Sequence, residues 1–132
     1  MSPNNRRHLV FVYGTLKQAY GNNRVMREAG GVFRTAATTE TPYPLVVQGL
    51  PYLYDRPGIG LSVKGEVYSV PGHGVLRCLD RLEGHPRFYT RKQITVVTPA
   101  GTSVLVWCYF IASRPFNPKE RFVEEYGHRC TY

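Results

Sequence analysis

Glu83 is the side chain whose position in the sequence most clearly suits acid–base chemistry. The spacing predicts a helix over residues 74–83, ended by Gly84, a residue that favours a left-handed cap. On a helical wheel of about 100° per residue with Leu76 at zero, Leu79 falls near ~300° and Glu83 near ~340°. The carboxyl group of Glu83 therefore shares the apolar stripe that faces the core.

The other side chains of this helix divide between its two faces. Val75 and Leu82, at about 260° and 240°, extend the apolar arc, whereas Arg77 and Arg81, at about 100° and 140°, face away from it. Cys78 falls near ~200°, off the core arc and without a nearby catalytic partner. We therefore expect no nucleophilic role for this cysteine.

Two physical effects should raise the pKa of Glu83. Burial disfavours the charged form of a carboxyl group, and the last turn of a helix presents the negative end of the macrodipole. A carboxyl group whose pKa moves from about 4.3 toward neutrality is a useful general base. The alternative is that the last turn frays and Glu83 points to solvent beside Arg81 or Arg87.

The elements that must position this helix are predicted from β-branched and aromatic runs. Residues 9–13 form a continuous apolar run that ends at Gly14, which is typical of a central strand buried on both faces. Asn22 or Asn23 could cap a short helix that extends to Gly30. Further strands are predicted at residues 32–39, 45–47, 61–70, 93–97 and 104–111, the last two forming a hairpin across residues 98–101.

Four prolines separate the early strands from the later ones. They lie at positions 42, 44, 51 and 57, and they confine residues 41–60 to turns and edge strands because proline cannot donate to a ladder.

The 132 residues show no internal repeat or linker and suit one compact domain. The order of elements predicts a single α+β domain over residues 1–132, built on a small mixed β-sheet or barrel with a few short helices.

Composition narrows the function classes. The net charge of +8 comes from 17 Lys and Arg against nine Asp and Glu, but the basic residues are scattered, so nucleic-acid binding is not favoured. Three cysteines with no CxxC spacing fit neither a disulfide framework nor a zinc site, and they indicate a reducing, cytoplasmic location. The four histidines show no ligand spacing, which predicts no metal. No apolar run is long enough to span a membrane, and no pattern indicates an oligomeric state.

Three short motifs follow one another along the chain. Residues 12–17 read VYGTLK, residues 65–68 read GEVY, and residues 79–84 read LDRLEG, followed by YTR at 89–91. Their order and spacing resemble the γ-glutamylcyclotransferase-like (AIG2-like) family over residues 8–116. The PYPLV stretch at 42–46 and the PYL at 51–53 are most similar to its γ-glutamylamine cyclotransferase branch.

The resemblance implies a small β-barrel with flanking helices and a cofactor-independent enzyme. The implied reaction releases 5-oxoproline and a free amine from a small-molecule γ-glutamyl amine of the γ-glutamyl-ε-lysine type. The α-amine of the substrate attacks its own γ-carbonyl, and Glu83 acts as the general acid and base. The same chemistry on glutathione or other γ-glutamyl compounds is an alternative, as is a non-catalytic binding module that uses the basic surface.

The resemblance also implies which other residues form the site. The substrate-binding loop comprises Tyr13, Gly14, Thr15 and Leu16. Its backbone amides could hold the substrate α-carboxylate or the developing oxyanion. Possible further pocket residues are Tyr89, Arg91 and Tyr109. Residues 117–132 match no feature of the family, so the resemblance does not indicate which residues surround the leaving amine.

Overall fold

The computed structural model describes residues 7–14, 16–17 and 23–127, apart from the side chain of His73. In this part of the chain there are seven strands and two helices. The strands are β1 (Arg7–Val12), β2 (Val32–Thr39), β3 (Leu45–Gln48), β4 (Leu50–Leu53), β5 (Lys64–Pro71), β6 (Tyr89–Val97) and β7 (Ser103–Ile111). The helices are α1 (Asn23–Glu28) and α2 (Gly72–Glu83).

Five strands close into a barrel in the order β1-β5-β2-β6-β7. The neighbouring pairs are antiparallel except the pair that closes the barrel, in which β1 runs parallel to β7 through Val10 and Trp107. Strands β3 and β4 form a separate two-stranded hairpin. The predicted α+β fold with a small mixed barrel is confirmed.

Strand β1 is buried on both faces, as its uninterrupted apolar run predicts. Phe11 belongs to the cluster that fills the barrel, whereas Val10 and Val12 belong to a second cluster together with Leu76 and Leu79 of α2. Alternation along the strand thus places successive side chains in two different cores. The helix α2 is consequently fixed against the outside of the barrel beside β1.

Helix α2 begins two residues earlier than predicted, and one residue predicted to lie on its core face is exposed instead. Leu76 and Leu79 are buried, but Leu82 is 48% exposed. The buried pair centres the apolar stripe near ~330° on the wheel, so Leu82 lies about 90° from its middle. The position of Glu83, by contrast, falls close to the centre of the stripe.

The short helix α1 differs from its prediction in its capping. Asn23 is the buried first residue of the helix, and its side-chain amide donates to the Leu16 carbonyl at 2.9 Å and to the Tyr68 hydroxyl at 2.7 Å. Its Oδ1 accepts a hydrogen bond from Arg27 Nε at 3.0 Å. Asn23 therefore ties the start of the helix to the barrel rather than capping it, and Asn22 lies outside the described residues.

The remaining strand predictions differ mainly at the boundaries. Strand β2 has the predicted bounds, and the β6–β7 hairpin is confirmed, with β6 starting four residues earlier. Strand β4 is not among the individually predicted strands, but it lies within residues 41–60, where the prolines predict turns and edge strands. It is an edge strand in a two-stranded sheet, where the missing N–H of proline is tolerated.

The described residues after β7, 112–127, form no helix, yet they are attached to the barrel. The Val123 amide donates to the Leu45 carbonyl at 3.0 Å, and the Lys64 amide donates to the Glu124 carbonyl at 2.7 Å. The rings of Phe116 and Phe122 stack with centroids 5.9 Å apart. None of the described helices is long and apolar enough to cross a membrane.

Candidate active site

The end of α2 is held in one conformation by a Schellman motif. Gly84 takes a left-handed φ of 67°, its amide donates to the Arg81 carbonyl at 3.1 Å, and the His85 amide donates to the Asp80 carbonyl at 2.8 Å. Glu83 is the last residue before this turn. The fraying alternative, in which Glu83 would point freely to solvent, is wrong for this helix end.

Asp80 anchors the same end of the helix to the barrel wall. Its Oδ1 accepts hydrogen bonds from Tyr109 Oη at 2.6 Å and from Arg91 Nε at 2.8 Å, and its Oδ2 accepts one from Arg91 Nη2 at 3.2 Å. The Arg91 guanidinium also lies over the Trp107 ring, 4.3 Å from its centroid. Asp80 is three residues before Glu83, so this network fixes the last turn of the helix relative to β6 and β7.

Opposing effects act on the pKa of Asp80. Burial raises it, but the hydrogen bonds from Arg91 and Tyr109 outweigh burial, and the pKa lies below its usual value. Asp80 therefore stays ionised at neutral pH. Its role in the structure is to hold the helix end rather than to exchange protons.

Glu83 has the opposite environment. No described residue donates a hydrogen bond to its carboxyl group or forms an ion pair with it. Burial among apolar and aromatic side chains raises its pKa from the ordinary 4.5 to about 7. Two carboxyl groups one helical turn apart thus differ in protonation state, which is the usual arrangement when one of them exchanges protons and the other does not.

A cavity of about 190 Å³ opens beside Glu83. It is lined by Phe11, Val12, Tyr13, Gly14, Leu16, Leu50, Pro51, Glu83, Tyr89 and Tyr109. Its volume is below the ~300–1,000 Å³ common for drug-sized ligands, so it suits a group about the size of an amino acid. Among the described residues, Glu83 is the only acidic or basic side chain in this lining.

A larger groove of about 490 Å³ lies elsewhere on the barrel, around Lys17, Lys64, Glu66 and Glu125. Lys17 Nζ there donates to the Tyr126 carbonyl at 2.8 Å and lies 3.8 Å from the Glu125 carboxylate. Among its described lining residues, acidic and basic side chains occur in equal number, two of each. We therefore assign the candidate active site to the smaller cavity that contains Glu83.

Three tyrosines form the polar part of the cavity wall. Tyr13 donates to the Tyr109 carbonyl at 2.6 Å, Tyr89 donates to the Pro51 carbonyl at 3.2 Å, and Tyr109 donates to Asp80. Burial is the first cause that raises the pKa of each, to about 12 for Tyr89 and well above 10.0 for Tyr13. These hydroxyls stay protonated at neutral pH and fix the walls around Glu83.

Gly14 allows the β3–β4 hairpin to close over the cavity. A Cβ built on Gly14 would lie 2.8 Å from Pro51 Cγ, so the backbone approaches the proline ring more closely than any other residue would allow. The Lys17 amide donates to the Gly14 carbonyl at 3.1 Å and closes the turn between them. The loop therefore lies directly against the hairpin that covers it.

This contact gives a testable prediction. Gly14→Ala should push the hairpin away from the cavity and raise KM by about tenfold, with a loss of stability of about 1–3 kcal/mol from overpacking. The measurements are steady-state kinetics and thermal unfolding. Gly74→Ala is the control, because a Cβ at Gly74 in α2 would meet nothing within 4 Å, and it should leave KM unchanged.

Most of the predicted site residues lie around one cavity. Glu83, Tyr13, Gly14, Leu16, Tyr89 and Tyr109 all line it. Thr15 lies outside the described residues. Arg91 does not line the cavity, because its guanidinium is used by Asp80 and Trp107. Among the described residues 117–127, none lines this cavity.

Sequence reasoning missed the residues that cover and brace the site. Leu50 and Pro51 form the cover, and Asp80 forms the brace. The spacing between Asp80 and Glu83 was a usable signal, because residues three apart lie on neighbouring positions of a helix. Nothing in the sequence indicated that the hairpin folds back onto the loop after β1.

Comparison with known proteins identifies the family. Residues 10–128 match the family described as gamma-glutamyl cyclotransferase, AIG2-like. The chain belongs to this family. The resemblance in the motifs around Gly14, Glu66 and Glu83 is thereby confirmed.

Relatives and solved structures of this AIG2-like family cover most of the chain. The gamma-glutamylaminecyclotransferase of Homo sapiens is 40% identical over 124 residues, which cover 81% of this chain and 80% of that protein. The Bos taurus protein of the same name is 38% identical, with 83% of this chain and 68% of that protein covered. The crystal structure of an AIG2-like protein from Mus musculus superposes with a TM-score of 0.83 at 33% identity, covering 92% and 89% of the two chains.

Proposed function

We propose that this protein is a γ-glutamylamine cyclotransferase, which converts a γ-glutamyl amine of the γ-glutamyl-ε-lysine type into 5-oxoproline and a free amine. The observation that carries the proposal is the carboxyl group of Glu83, which has no ion-pair or hydrogen-bond partner among the described residues and whose pKa is raised to about 7 beside a cavity of amino-acid size. Family membership and the names of the relatives agree with this activity.

The reaction needs no cofactor, because the nucleophile belongs to the substrate. The α-nitrogen forms a bond to the γ-carbonyl carbon, and the bond from that carbon to the leaving nitrogen breaks. Two protons leave the α-nitrogen and two reach the leaving nitrogen, so Glu83 ends in the protonation state in which it began. Well-oriented intramolecular reactions reach effective molarities of about 10⁵ M or more, so holding the ring-closing pose supplies much of the rate.

Glu83 carries the protons between the two nitrogens. With a pKa of about 7, the group is about half ionised at neutral pH, and it can accept a proton from the α-ammonium and then donate to the leaving amine. Its neighbours in the cavity are apolar side chains and protonated tyrosines, which do not compete for the proton.

The loop after β1 binds the glutamyl group of the substrate. The described residues of the cavity lining include no lysine or arginine, so the backbone amides of residues 13–16 bind the substrate α-carboxylate and stabilise the oxyanion that develops on the γ-carbonyl. Gly14 lets this backbone come close to the substrate. The buried tyrosine rings hold the aliphatic part of the glutamyl chain.

The pH dependence follows from the raised pKa of Glu83. Activity requires the ionised form, so kcat/KM should fall about tenfold per pH unit below pH 7 and level off above it. Initial rates of 5-oxoproline release between pH 5 and 9 measure this profile. A profile centred near pH 4.5 would mean that the carboxyl group is not buried during turnover.

The activity itself is tested with a panel of γ-glutamyl compounds. The panel contains γ-glutamyl-ε-lysine, γ-glutamyl dipeptides and glutathione, and 5-oxoproline is the quantity assayed. Release of 5-oxoproline from γ-glutamyl-ε-lysine at the highest kcat/KM supports the proposal. Release from glutathione alone would assign the same chemistry to a different substrate, and release from none would overturn the proposed function.

A further inference from the structure

Asn23 is a buried polar side chain that contacts the candidate active site without lining the cavity. It is the first residue of α1 and is 6% exposed. Its side-chain Nδ2 donates to the carbonyl of Leu16 at 2.9 Å, and Leu16 is part of the cavity lining. Asn23 therefore holds the backbone of the loop to which the proposed function assigns the binding of the glutamyl group.

The partners of Asn23 fix the orientation of its side-chain amide. Arg27 Nε donates to Oδ1 at 3.0 Å, and an arginine side chain has no acceptor. Nδ2 therefore faces the other way, where it donates to the Leu16 carbonyl and, at 2.7 Å, to the Tyr68 hydroxyl. Turning the amide over would place Oδ1 against a carbonyl oxygen and Nδ2 against a guanidinium group. The amide thus has one favourable orientation, and in it the Leu16 carbonyl is bound.

Strand β5 of the barrel supports this amide. Tyr68 lies in the middle of β5 and is 1% exposed. Its hydroxyl accepts from Asn23 and donates to Glu66 Oε1 at 3.3 Å, so the buried polar groups satisfy one another. The hydrogen bonds run from β5 through Asn23 to the loop, and the barrel therefore sets the position of the loop backbone.

The peptide group that Asn23 binds is held at both of its ends. The carbonyl of Leu16 and the amide of Lys17 belong to the same peptide group, and that amide donates to the Gly14 carbonyl at 3.1 Å. Because a peptide group is planar, hydrogen bonds at its carbonyl and at its amide fix its plane. This plane ends the loop of residues 13–16, whose amides bind the substrate α-carboxylate in the proposed function.

We propose that Asn23 is a positioning residue for recognition of the substrate α-carboxylate. By holding the Leu16–Lys17 peptide group, it aligns the loop amides before the substrate binds, so that they lose little conformational freedom on binding. This inference rests on the proposed function, since it takes the loop amides as the groups that bind the α-carboxylate. Without Asn23 the substrate itself must order the loop, and the preference for substrates with an α-carboxylate decreases.

A matched pair of substrates measures this preference. γ-Glutamyl-ε-lysine is compared with an analogue in which a 4-aminobutanoyl group replaces the γ-glutamyl group on the ε-nitrogen of lysine. The analogue lacks only the α-carboxylate, and attack of its amine on the same carbonyl releases lysine and 2-pyrrolidinone. Lysine release gives kcat/KM for both compounds. One hydrogen bond to a charged group changes a binding constant by about 10–150-fold, so we expect the wild type to prefer γ-glutamyl-ε-lysine by about 100-fold or more.

Two variants assign the preference to the hydrogen bond between Asn23 and Leu16. Asn23→Ala removes this bond and should lower the preference to about tenfold or less, mainly through a lower kcat/KM for γ-glutamyl-ε-lysine. Tyr68→Phe is the matched control, because it removes the other acceptor of the same Nδ2 and leaves the bond to Leu16. It should lower stability, which thermal unfolding measures, and keep the wild-type preference. If Asn23→Ala does not fold, Asn23→Leu, which is neutral and also branched at Cγ, replaces it.

Binding of the products gives the same comparison without turnover. 5-Oxoproline is 2-pyrrolidinone with the α-carboxylate attached, so the ratio of their two Kd values reports on the carboxylate alone. These values are obtained by NMR titration of the wild type and the variants. The Asn23 variant should lower the wild-type ratio about tenfold, and Tyr68→Phe should keep it.

The outcomes separate this inference from the proposed function. An Asn23 variant that loses activity equally on both substrates has a purely structural defect, and this result would overturn the inference. A preference that falls as far in Tyr68→Phe as in the Asn23 variant would overturn it too, as would failure of both Asn23 variants to fold. If the wild type releases 5-oxoproline but shows no preference for the α-carboxylate, the inference fails and the proposed function stands. If no γ-glutamyl compound yields 5-oxoproline, the proposed function fails and this inference fails with it.

Discussion

Glu83→Gln is expected to lower kcat by about 10²–10⁴-fold, because glutamine keeps the shape of the side chain but cannot exchange protons. Glu83 is the only acidic group among the described residues of the cavity lining, and the tyrosines around it stay protonated at neutral pH, so none of them replaces it. Single-turnover release of 5-oxoproline from γ-glutamyl-ε-lysine measures the loss of the chemical step. An unchanged rate would show that the carboxyl group is not the proton carrier.

The same substitution should make the protein more stable at alkaline pH. The folded-state pKa of Glu83, about 7, is higher than the ordinary 4.5, so ionisation costs the folded state free energy as the pH rises from about 4.5 to 7. Glu83→Gln removes this cost and should raise the free energy of unfolding by about 3 kcal/mol at pH 8, with almost no difference at pH 4.

Glu40→Gln is the matched control for both measurements. Glu40 is exposed and lies at the end of β2, outside the cavity. This variant should keep the wild-type activity, and its stability should differ little from wild type at either pH. A Glu83→Gln variant that is less stable than wild type at pH 8 would contradict the burial of an ionisable, unpaired carboxyl group.

Asp80→Asn is expected to have the second-largest effect. It removes the carboxylate that holds Arg91 and Tyr109, with side chains of Arg91 and Asp80 only 19% and 14% exposed. Losing one partner of a mostly buried pair leaves the other charge unsatisfied, so we expect a loss of about 2–4 kcal/mol in the free energy of unfolding. Urea denaturation measures this loss.

Activity should fall in the same variant, because the end of α2 loses its attachment to β6 and β7. Asp80 does not touch the cavity, so the expected change is a lower kcat with the pH profile still centred near 7. Asp55→Asn is the control, since it breaks the more exposed pair with Lys92 and should cost at most about 1 kcal/mol. Equal stability losses in the two variants would contradict the anchoring role of Asp80.

The stability contributed by Asp80 also depends on pH in a defined direction. Its pKa is lowered in the folded state, so its contribution is present above the ordinary value of 3.8 and is lost as the pH falls through the folded-state pKa. Glu83, whose pKa is raised in the folded state, instead lowers the free energy of unfolding as the pH rises from about 4.5 to 7. The two carboxyl groups of one helix turn thus give the protein greatest stability on the acidic side of neutrality.

The sequence predicted the central features of the site because they depend on local patterns. The apolar run of β1 and the apolar stripe of α2 fix which faces are buried, and Gly84 with its neighbours fixes where α2 ends. The position of Glu83 within that stripe, and hence its raised pKa, follows from helical periodicity alone. The exposure of Leu82 was missed because a wheel does not show where the partner surface ends.

The parts that could not be predicted depend on contacts between distant segments. Asp80 meets Arg91 and Tyr109 only because β6 and β7 run beside the end of α2. Pro51 reaches Gly14 only because the β3–β4 hairpin folds over the barrel. Such contacts join residues 11 to 37 positions apart, and no periodicity within one element reports them.

The central claim is an intramolecular cyclisation carried out at Glu83, and isotope labelling tests it most directly. The protein is incubated with γ-glutamyl-ε-lysine in ¹⁸O-labelled water, and the products are identified by mass spectrometry. The mechanism predicts equal amounts of lysine and 5-oxoproline, with no ¹⁸O in the 5-oxoproline, because water forms no bond to the γ-carbonyl carbon. Formation of ¹⁸O-labelled glutamate together with lysine would show hydrolysis and would contradict the mechanism.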